Sequence, residues 1–467
     1  MTMQWSMPDV PEQETPEPPP VWLFVVLYVA MELAAVALTV FNWPKGQPTM
    51  TGTFWACVLL LPTLLWVTVG AAFVAPYEDA RNDSDWWNLL RQYRTAYWQQ
   101  WAHGHMWLMD SVVLTPEDAL AERMLGLEGL PPTNPGKALV LPRTETTRAR
   151  ARLDSLFEQL LTPLATTVRR LTRLETPYVV LQVGDDDCSA DLLHVWKRLS
   201  LPDSLRVTWL APDEPSPLAE HWFGEEIPGC RLVIACQLQT PESEPPCSET
   251  AVALLLSNPD AVTRARLKLK PQAWIFRPIV AESDAVDEAL ATLLSAGQAS
   301  SGKIRHCWYS RLGRIVRNAT MFAVNEAGLN VMMQDVDRAL GNPGPVNAWL
   351  LQAMAAQMVQ HGQGAQLVAT PYRTGVSLNL VATSPPPVVW PNDDIRVPFF
   401  CYSFFVGMAM LLAFVLVLTN GVMPPSPNDP SLFSIACFAI PLIILLRTGV
   451  ALWQRRENTH RFCERFY

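Results

Sequence analysis

Charge is what this sequence is short of. Only 17% of its 467 residues are Asp, Glu, Lys or Arg, against about a quarter in an average soluble protein. The deficit is local. Phe54–Ala75, Phe399–Thr419 and Leu432–Leu446 hold no charged residue, and Val21–Val40 holds only Glu32. The last run reaches Trp453 if Arg447 is tolerated. Basic residues are missing from Met1–Pro20, and the loops Asn42–Thr53 and Asn420–Ser431 contain only Lys45 between them. Chemical signatures are missing too. There is no Gly-x-Ser-x-Gly elbow, no phosphate loop with its Lys-Ser/Thr, no dinucleotide glycine spacing and no Cys-x-x-Cys pair. The net charge of −9, with no basic patch interleaved with aromatics, excludes nucleic acid as the main partner.

What is present begins with four apolar runs. A bilayer core of roughly 30 Å needs about 20 helical residues, and without water the backbone of such a run is satisfied only as a helix. The runs predict two transmembrane hairpins, residues 21–75 and 399–453, with membrane lipid as a partner. A polar tail, 1–20, precedes the first run without a cleavage site, so that run is expected to stay in the mature protein. The tail is acidic and proline-rich and reads as disordered. Arg81, Arg91 and Arg94 follow the first hairpin, and Arg455, Arg456, Arg461 and Arg465 form a basic tail, 454–467. Positive charge stays on the cytoplasmic side, which places both termini and the central domain in the cytoplasm, at a bacterial inner membrane. Nine cysteines without paired spacing fit a reducing compartment.

Residues 76–136 are rich in tryptophan. Trp86, Trp87, Trp98, Trp101 and Trp107 follow a span directly, so they read either as an interfacial helix at the lipid headgroups or as a helix packed on the soluble domain. From Lys137 the pattern alternates. ALVLP, YVVLQV, RVTWL, RLVIACQL, AWIFRPIV and KIRHCWYS predict strands; Thr147–Leu174, Leu192–Leu199, Asp284–Ala296 and Val346–Val359 predict helices. AQLVATPY and VSLNLVAT predict a closing hairpin turning at Arg373–Gly375. Apolar strands between helices imply a sheet covered on both faces, so residues 137–383 form an α/β domain. SPPPVVWPNDD begins a stiff linker, 384–398, back to the membrane.

Two stretches carry a family resemblance. CSETAVALLLSN (Cys247–Asn258), after a buried strand, resembles the end of the first half of a thiolase or β-ketoacyl synthase fold. ALGNPGPVNAWLLQAMAAQMVQHGQGAQLVAT with GVSLNLVAT resembles the end of the second. The resemblance implies two pseudo-symmetric halves, and a catalytic cysteine at a helix N-terminus assisted by histidines. Its nucleophile would correspond to Cys188 and one histidine to His306. The departures point to a degenerate active site. Gly341, Asn342, Pro343 and Gly344 stand where the second-half histidine belongs. The Gly-Thr that should follow His306 is missing, and Asp185, Asp186 and Asp187 before Cys188 would raise its thiol pKa.

The remaining polar features have plainer readings. His103 and His105 lack a third metal ligand nearby, the aspartate run fits no cation-loop spacing, and GNPGP is a turn opening a helix with Pro345 near its first turn. No cofactor or metal site follows. Glu32, mid-span, calls for a partner within the membrane. The leading expectation is a non-catalytic inner-membrane adaptor or scaffold with protein partners. The overall look resembles uncharacterised membrane proteins of type VI secretion loci. The alternatives are a membrane-tethered enzyme acting on acyl thioesters or lipid, with Cys188 as nucleophile, and a polytopic immunity or defence protein.

Overall fold

A computed structural model describes residues 4–466 apart from 143–148, 173–175, 185–187, 203, 212–213, 215–217, 219–221, 224–229, 240–246, 265, 267–268, 392–396, 399–400 and 420–431. The chain divides into two compact units. One, containing residues 8–97 and 389–467, is helical. The other, containing residues 2–7 and 98–388, is the α/β domain.

In the helical unit, α1 (Val21–Asn42) is joined by a short connection to α2 (Gly52–Trp55). A π turn, Ala56–Leu60, and α3 (Leu61–Ala102) continue it as one helical run. Later come α12 (Tyr402–Val417) and α13 (Leu432–Phe466). Val21–Asn42, Gly52–Ala102 and Cys437–Phe466 are long and apolar enough to cross a membrane. The fourth apolar helix, α12, is 16 residues long over its described part. Several polar side chains inside the unit are paired. Thr63 donates to Glu32 at 3.3 Å, and the indole of Trp66 donates to the carbonyl of Phe24 at 2.9 Å. Arg447 pairs with Asp79, which is how an arginine is accommodated at the end of an apolar run. Ser403, opening α12, donates its amide and hydroxyl to Glu78 at 3.0 and 2.8 Å. A Cβ on Gly407 would lie 2.9 Å from that of Ala71, so glycine lets α12 approach α3 closely.

Beyond the apolar part, α3 and α13 run side by side in the same direction. Asp83 accepts from Asn458, Trp86 donates to Thr459 at 3.1 Å, and Trp87 packs edge-on against Phe462. The acidic tail read as disordered instead lies along this helix. Trp87 and Arg91 donate to the carbonyls of Pro11 and Val10, and Arg91 pairs with Glu12. Extended proline-rich chain leaves its carbonyls open, and the donors of α3 take them.

The α/β domain begins earlier than residue 137. Its first strand is β1 (His105–Leu114), followed by α4 (Leu120–Met124), α5 (Ala149–Leu171), β2 (Tyr178–Gln182), α6 (Cys188–Arg198), β3 (Arg206–Leu210), β4 (Cys230–Gln237) and β5 (Thr250–Ser257). After α7 (Pro259–Arg264) come β6 (Ala273–Phe276), β7 (Ile279–Ala281), α8 (Val286–Ser295), β8 (Ile304–Tyr309), α9 (Arg314–Glu326), β9 (Met332–Asp335), α10 (Val336–Leu340), α11 (Asn347–Gln360), β10 (Ala365–Tyr372) and β11 (Gly375–Ala382). ALVLP is not a strand: Ala138 makes a single bridge, to Gly341. AWIFRPIV is split by Pro278, which has no amide to give to a ladder.

One sheet carries two copies of a topology. From its outer edge inward the first half reads β3-β2-β4-β5-β1, and the second reads β9-β8-β10-β11-β6. Each is third, second, fourth, fifth, first. In each half the first three of these are parallel and the fifth is antiparallel to its neighbours. The halves join where β1 and β6 pair antiparallel. Side chains alternate accordingly. Val252, Leu254 and Leu256 of β5 join a core around α11, while Ala251, Ala253 and Leu255 join a core under α5 and α6. Helices α8 and α9 cover the equivalent face of the second half. Helix α11 is apolar nearly all round and buried along most of its length, as a helix enclosed by sheet must be.

Candidate functional site

Parallel strands aim their carboxyl ends at crevices where ligands are usually held. Here those ends are occupied by the protein's own polar side chains. The indole of Trp349 on α11 donates to Gln182 at the end of β2 (2.9 Å), and the Gln182 amide donates to the carbonyls of Ala211 and Glu214. Gln237, ending β4, donates to the carbonyl of Ser248 at 3.0 Å. In the second half, Asn347 donates to Ser310 at 2.9 Å, and Ser310 in turn donates to Asp337. The amide of Arg311 also donates to Asp337 at 2.8 Å. Burial still holds the Asp337 carboxyl above its ordinary value, against the lowering effect of these bonds.

The turn Gly341–Gly344 acts as a buttress between the halves. Asn342 donates its amide to Lys137 and accepts from the amide of Ser248, both at 2.8 Å. Gly341 has φ +92°, and a Cβ there would meet the Lys137 carbonyl at 2.1 Å; on Gly344 it would meet Gln237 at 1.6 Å. Beside this turn Glu249, buried at 1% exposure, accepts two hydrogen bonds from Arg152 (3.0 and 2.5 Å) and one each from the amides of Leu141 and Gln239. The Ser-Glu-Thr before β5 is therefore a structural clamp. Its signal in the sequence was a carboxylate set directly before an uninterrupted apolar strand.

The two residues of the expected dyad are not brought together. Cys188 opens α6 and packs with the core under α5 and α6, near Cys236. The thiol of Cys236 is pushed up by burial and then by Cys188. Asp185, Asp186 and Asp187 lie outside the described residues. His306 sits near the start of β8, where Gln334 on β9 meets its Nδ1 at 3.4 Å. Burial, and then Arg305, lowers its pKa. Strands β4, β5, β1, β6, β11 and β10 stand between β2 and β8 in the sheet order.

The tryptophans divide by position. Trp86 and Trp87 lie on α3 against α13, with the Arg455 guanidinium 3.7 Å from the Trp86 ring. Trp98 is buried and Trp101 partly so, both against Ala102 and Ala296 within the α/β domain. Trp107 is on β1 and packs on the core under α5. For these three a headgroup position is replaced by protein packing, because α3 ends inside the domain and the chain then turns into a strand. The two histidines are also structural. His103 bonds the Ala296 carbonyl at 2.8 Å, and His105 stacks on Trp274 at 4.2 Å. No cluster of three or more metal-ligating side chains occurs among the described residues.

One open space is a cleft of about 1130 Å³ at the starting ends of β8, β9 and β10, walled by Pro385–Pro387. His306 lines it together with Lys303, Arg305, Asn330 and Gln363.

No family model and no curated protein matches the sequence. Solved structures are similar to it in fold. The ketosynthase–acyl-carrier-protein complex of a type II polyketide system has a TM-score of 0.45 at 8% identity, covering 60% of this chain and 99% of that one. Human mitochondrial 3-ketoacyl-CoA thiolase scores 0.40 at 9% identity over 61% and 98%. Peroxisomal 3-ketoacyl-CoA thiolase of Saccharomyces cerevisiae, described as two core domains of identical topology, scores 0.39 at 10% over 60% and 98%. Nothing of their chemistry is carried over at this level of similarity.

Proposed function

We propose that the protein is a membrane-anchored adaptor whose α/β domain binds a partner rather than turning over a substrate. The observation that carries this reading is the placement of Cys188 and His306 in different halves of the sheet, each held by its own neighbours. A nucleophile and base must lie within hydrogen-bond reach to cooperate. The inward-facing hydrogen bonds of Gln182, Ser310 and Asp337 support the same reading. The anchor is four spans in two hairpins, with both termini and the α/β domain cytoplasmic at a bacterial inner membrane. The three long apolar helices, the shorter α12 and the arginines beyond α13 support it. The resemblance to membrane proteins of type VI secretion loci makes a subunit of a secretion machine the partner to look for.

In-cell cross-linking from a photoreactive residue at Phe322, 63% exposed on α9, tests the adaptor reading. A discrete protein adduct that persists in Cys188→Ser/His306→Gln is expected. Recovery of the chain without any protein adduct would overturn the reading. So would labelling by an acyl-thioester probe that disappears in Cys188→Ala.

A further inference from the structure

The cleft at the starting ends of β8, β9 and β10 stands out chemically. The chain carries 44 acidic against 35 basic residues, yet the cleft is lined by Lys303 and Arg305 and by no carboxylate. Both cations are exposed, and neither joins an ion pair among the described residues. The side-chain amides of Asn330 and Gln363 face the same space and make no hydrogen bond among the described residues. His306 is buried, and burial lowers its pKa from the ordinary histidine value. The cleft therefore offers fixed positive charge and unspent donors together.

Its shape selects among anions. A volume of about 1130 Å³ exceeds the roughly 300–1,000 Å³ of small-molecule sites. Its walls differ in chemistry. One is the proline run Pro385–Pro387, whose φ angles are fixed and whose nitrogens cannot donate. Another is Met332, 56% exposed, which begins β9. That strand pairs only with β8 and is the outer edge of the sheet, the kind of edge to which an extended peptide adds. The floor is tight, because a Cβ on Gly364 would lie 2.5 Å from the Lys303 carbonyl. The protein's own acidic tail is engaged elsewhere, with Val10 and Pro11 bonded to α3 and the Trp5 indole donating to Pro278 at 2.7 Å.

We infer that this cleft binds an extended acidic peptide segment of a partner protein, with Lys303 and Arg305 pairing its carboxylates and Met332 lying against its apolar side chains. The inference rests on the adaptor reading only for the ligand being a protein. Peptide binding by the purified chain tests the cleft alone, and the in-cell cross-link tests the adaptor alone.

The full chain in nanodiscs would be titrated with a fluorescein-labelled Glu-rich decapeptide, with the matching Gln decapeptide and with inorganic phosphate as competitor. The acidic peptide is expected to bind and to weaken as salt rises. Lys303→Glu/Arg305→Glu should weaken it by roughly tenfold or more, the loss of two charge-assisted hydrogen bonds. Both side chains are exposed, so the melting temperature should not move, and Lys303→Ala/Arg305→Ala gives a milder version of the same loss. Equal binding of the Gln peptide, or unchanged affinity in the charge-reversed variant, would overturn the inference. Phosphate binding as tightly as the peptide would also overturn it, by identifying a small-anion site.

Discussion

At the residue scale, Glu249 and Gly341 show how closely the segments between the two halves are held. Removing one partner of a buried ion pair leaves the other charge unpaired, which costs about 3–5 kcal/mol. Glu249→Ala should therefore lower stability by roughly that amount in chemical denaturation, and Arg152→Met/Glu249→Leu should restore only part of it, because the amides of Leu141 and Gln239 still lose their acceptor. Gly341→Ala has no such rescue, because its φ is +92° and the added methyl would meet the Lys137 backbone carbonyl at 2.1 Å. A drop in melting temperature at least as large as that of an ordinary core substitution is expected. The thiols are graded by burial. Cys307 is fully enclosed and its pKa is pushed up to about 12, whereas Cys188 is partly open. Alkylation at pH 8 followed by peptide mass mapping should modify Cys188 and spare Cys236 and Cys307. Modification of Cys307 at a rate similar to Cys188 would contradict the packing described.

At the scale of elements, α11 is the piece around which both halves close. Trp349 is 1% exposed and bonded to Gln182, so Trp349→Ala should cost about 3–5 kcal/mol. Ala353→Leu should cost about 1–3 kcal/mol by overpacking; both are read from denaturation midpoints. This helix was legible in the sequence, since its alanines and leucines between two glycine turns admit little else. So were β4, β5, β10 and β11, whose apolar runs are too short for helices. Strand β1 was not, because Trp107 follows a run of tryptophans that belong to α3, and composition does not mark where one element hands over to the next. Strand β9 is four residues, Met-Met-Gln-Asp, with no period to read. ALVLP has strand composition but only one bridge, and its apolar Leu141 is held instead by the Glu249 clamp. The positions of Cys188 and His306 relative to each other were not legible for another reason. Each matches a motif locally, and only the strand order shows six strands between them.

At the scale of the molecule, protonation adds a common bias. His103, His105 and His306 all have pKa values lowered, mainly by burial. The unfolded chain therefore takes up protons more readily near the ordinary histidine value of about 6.5. This contribution is complete above that value and is lost as pH falls through the folded-state values. Asp110 and Asp337, raised by burial, act in the opposite sense at lower pH. The denaturation midpoint of the α/β domain should be lower at pH 5.5 than at pH 7.5, and His103→Gln should narrow the gap. An equal midpoint at both values would refute this account.

The strand order also sets a timetable for biosynthesis. Strand β1 pairs with β5 and β6, so His105–Leu114 has no ladder partner until residues near 257 and 276 have been made. At about 5–20 residues per second that is a wait of roughly 7–30 seconds for an apolar strand to stand unpaired outside the ribosome. During that interval the helices before it are already available for insertion. An unpaired apolar strand is a site for non-native pairing, and a ribosome stall between β1 and β5 would yield a fragment prone to aggregate.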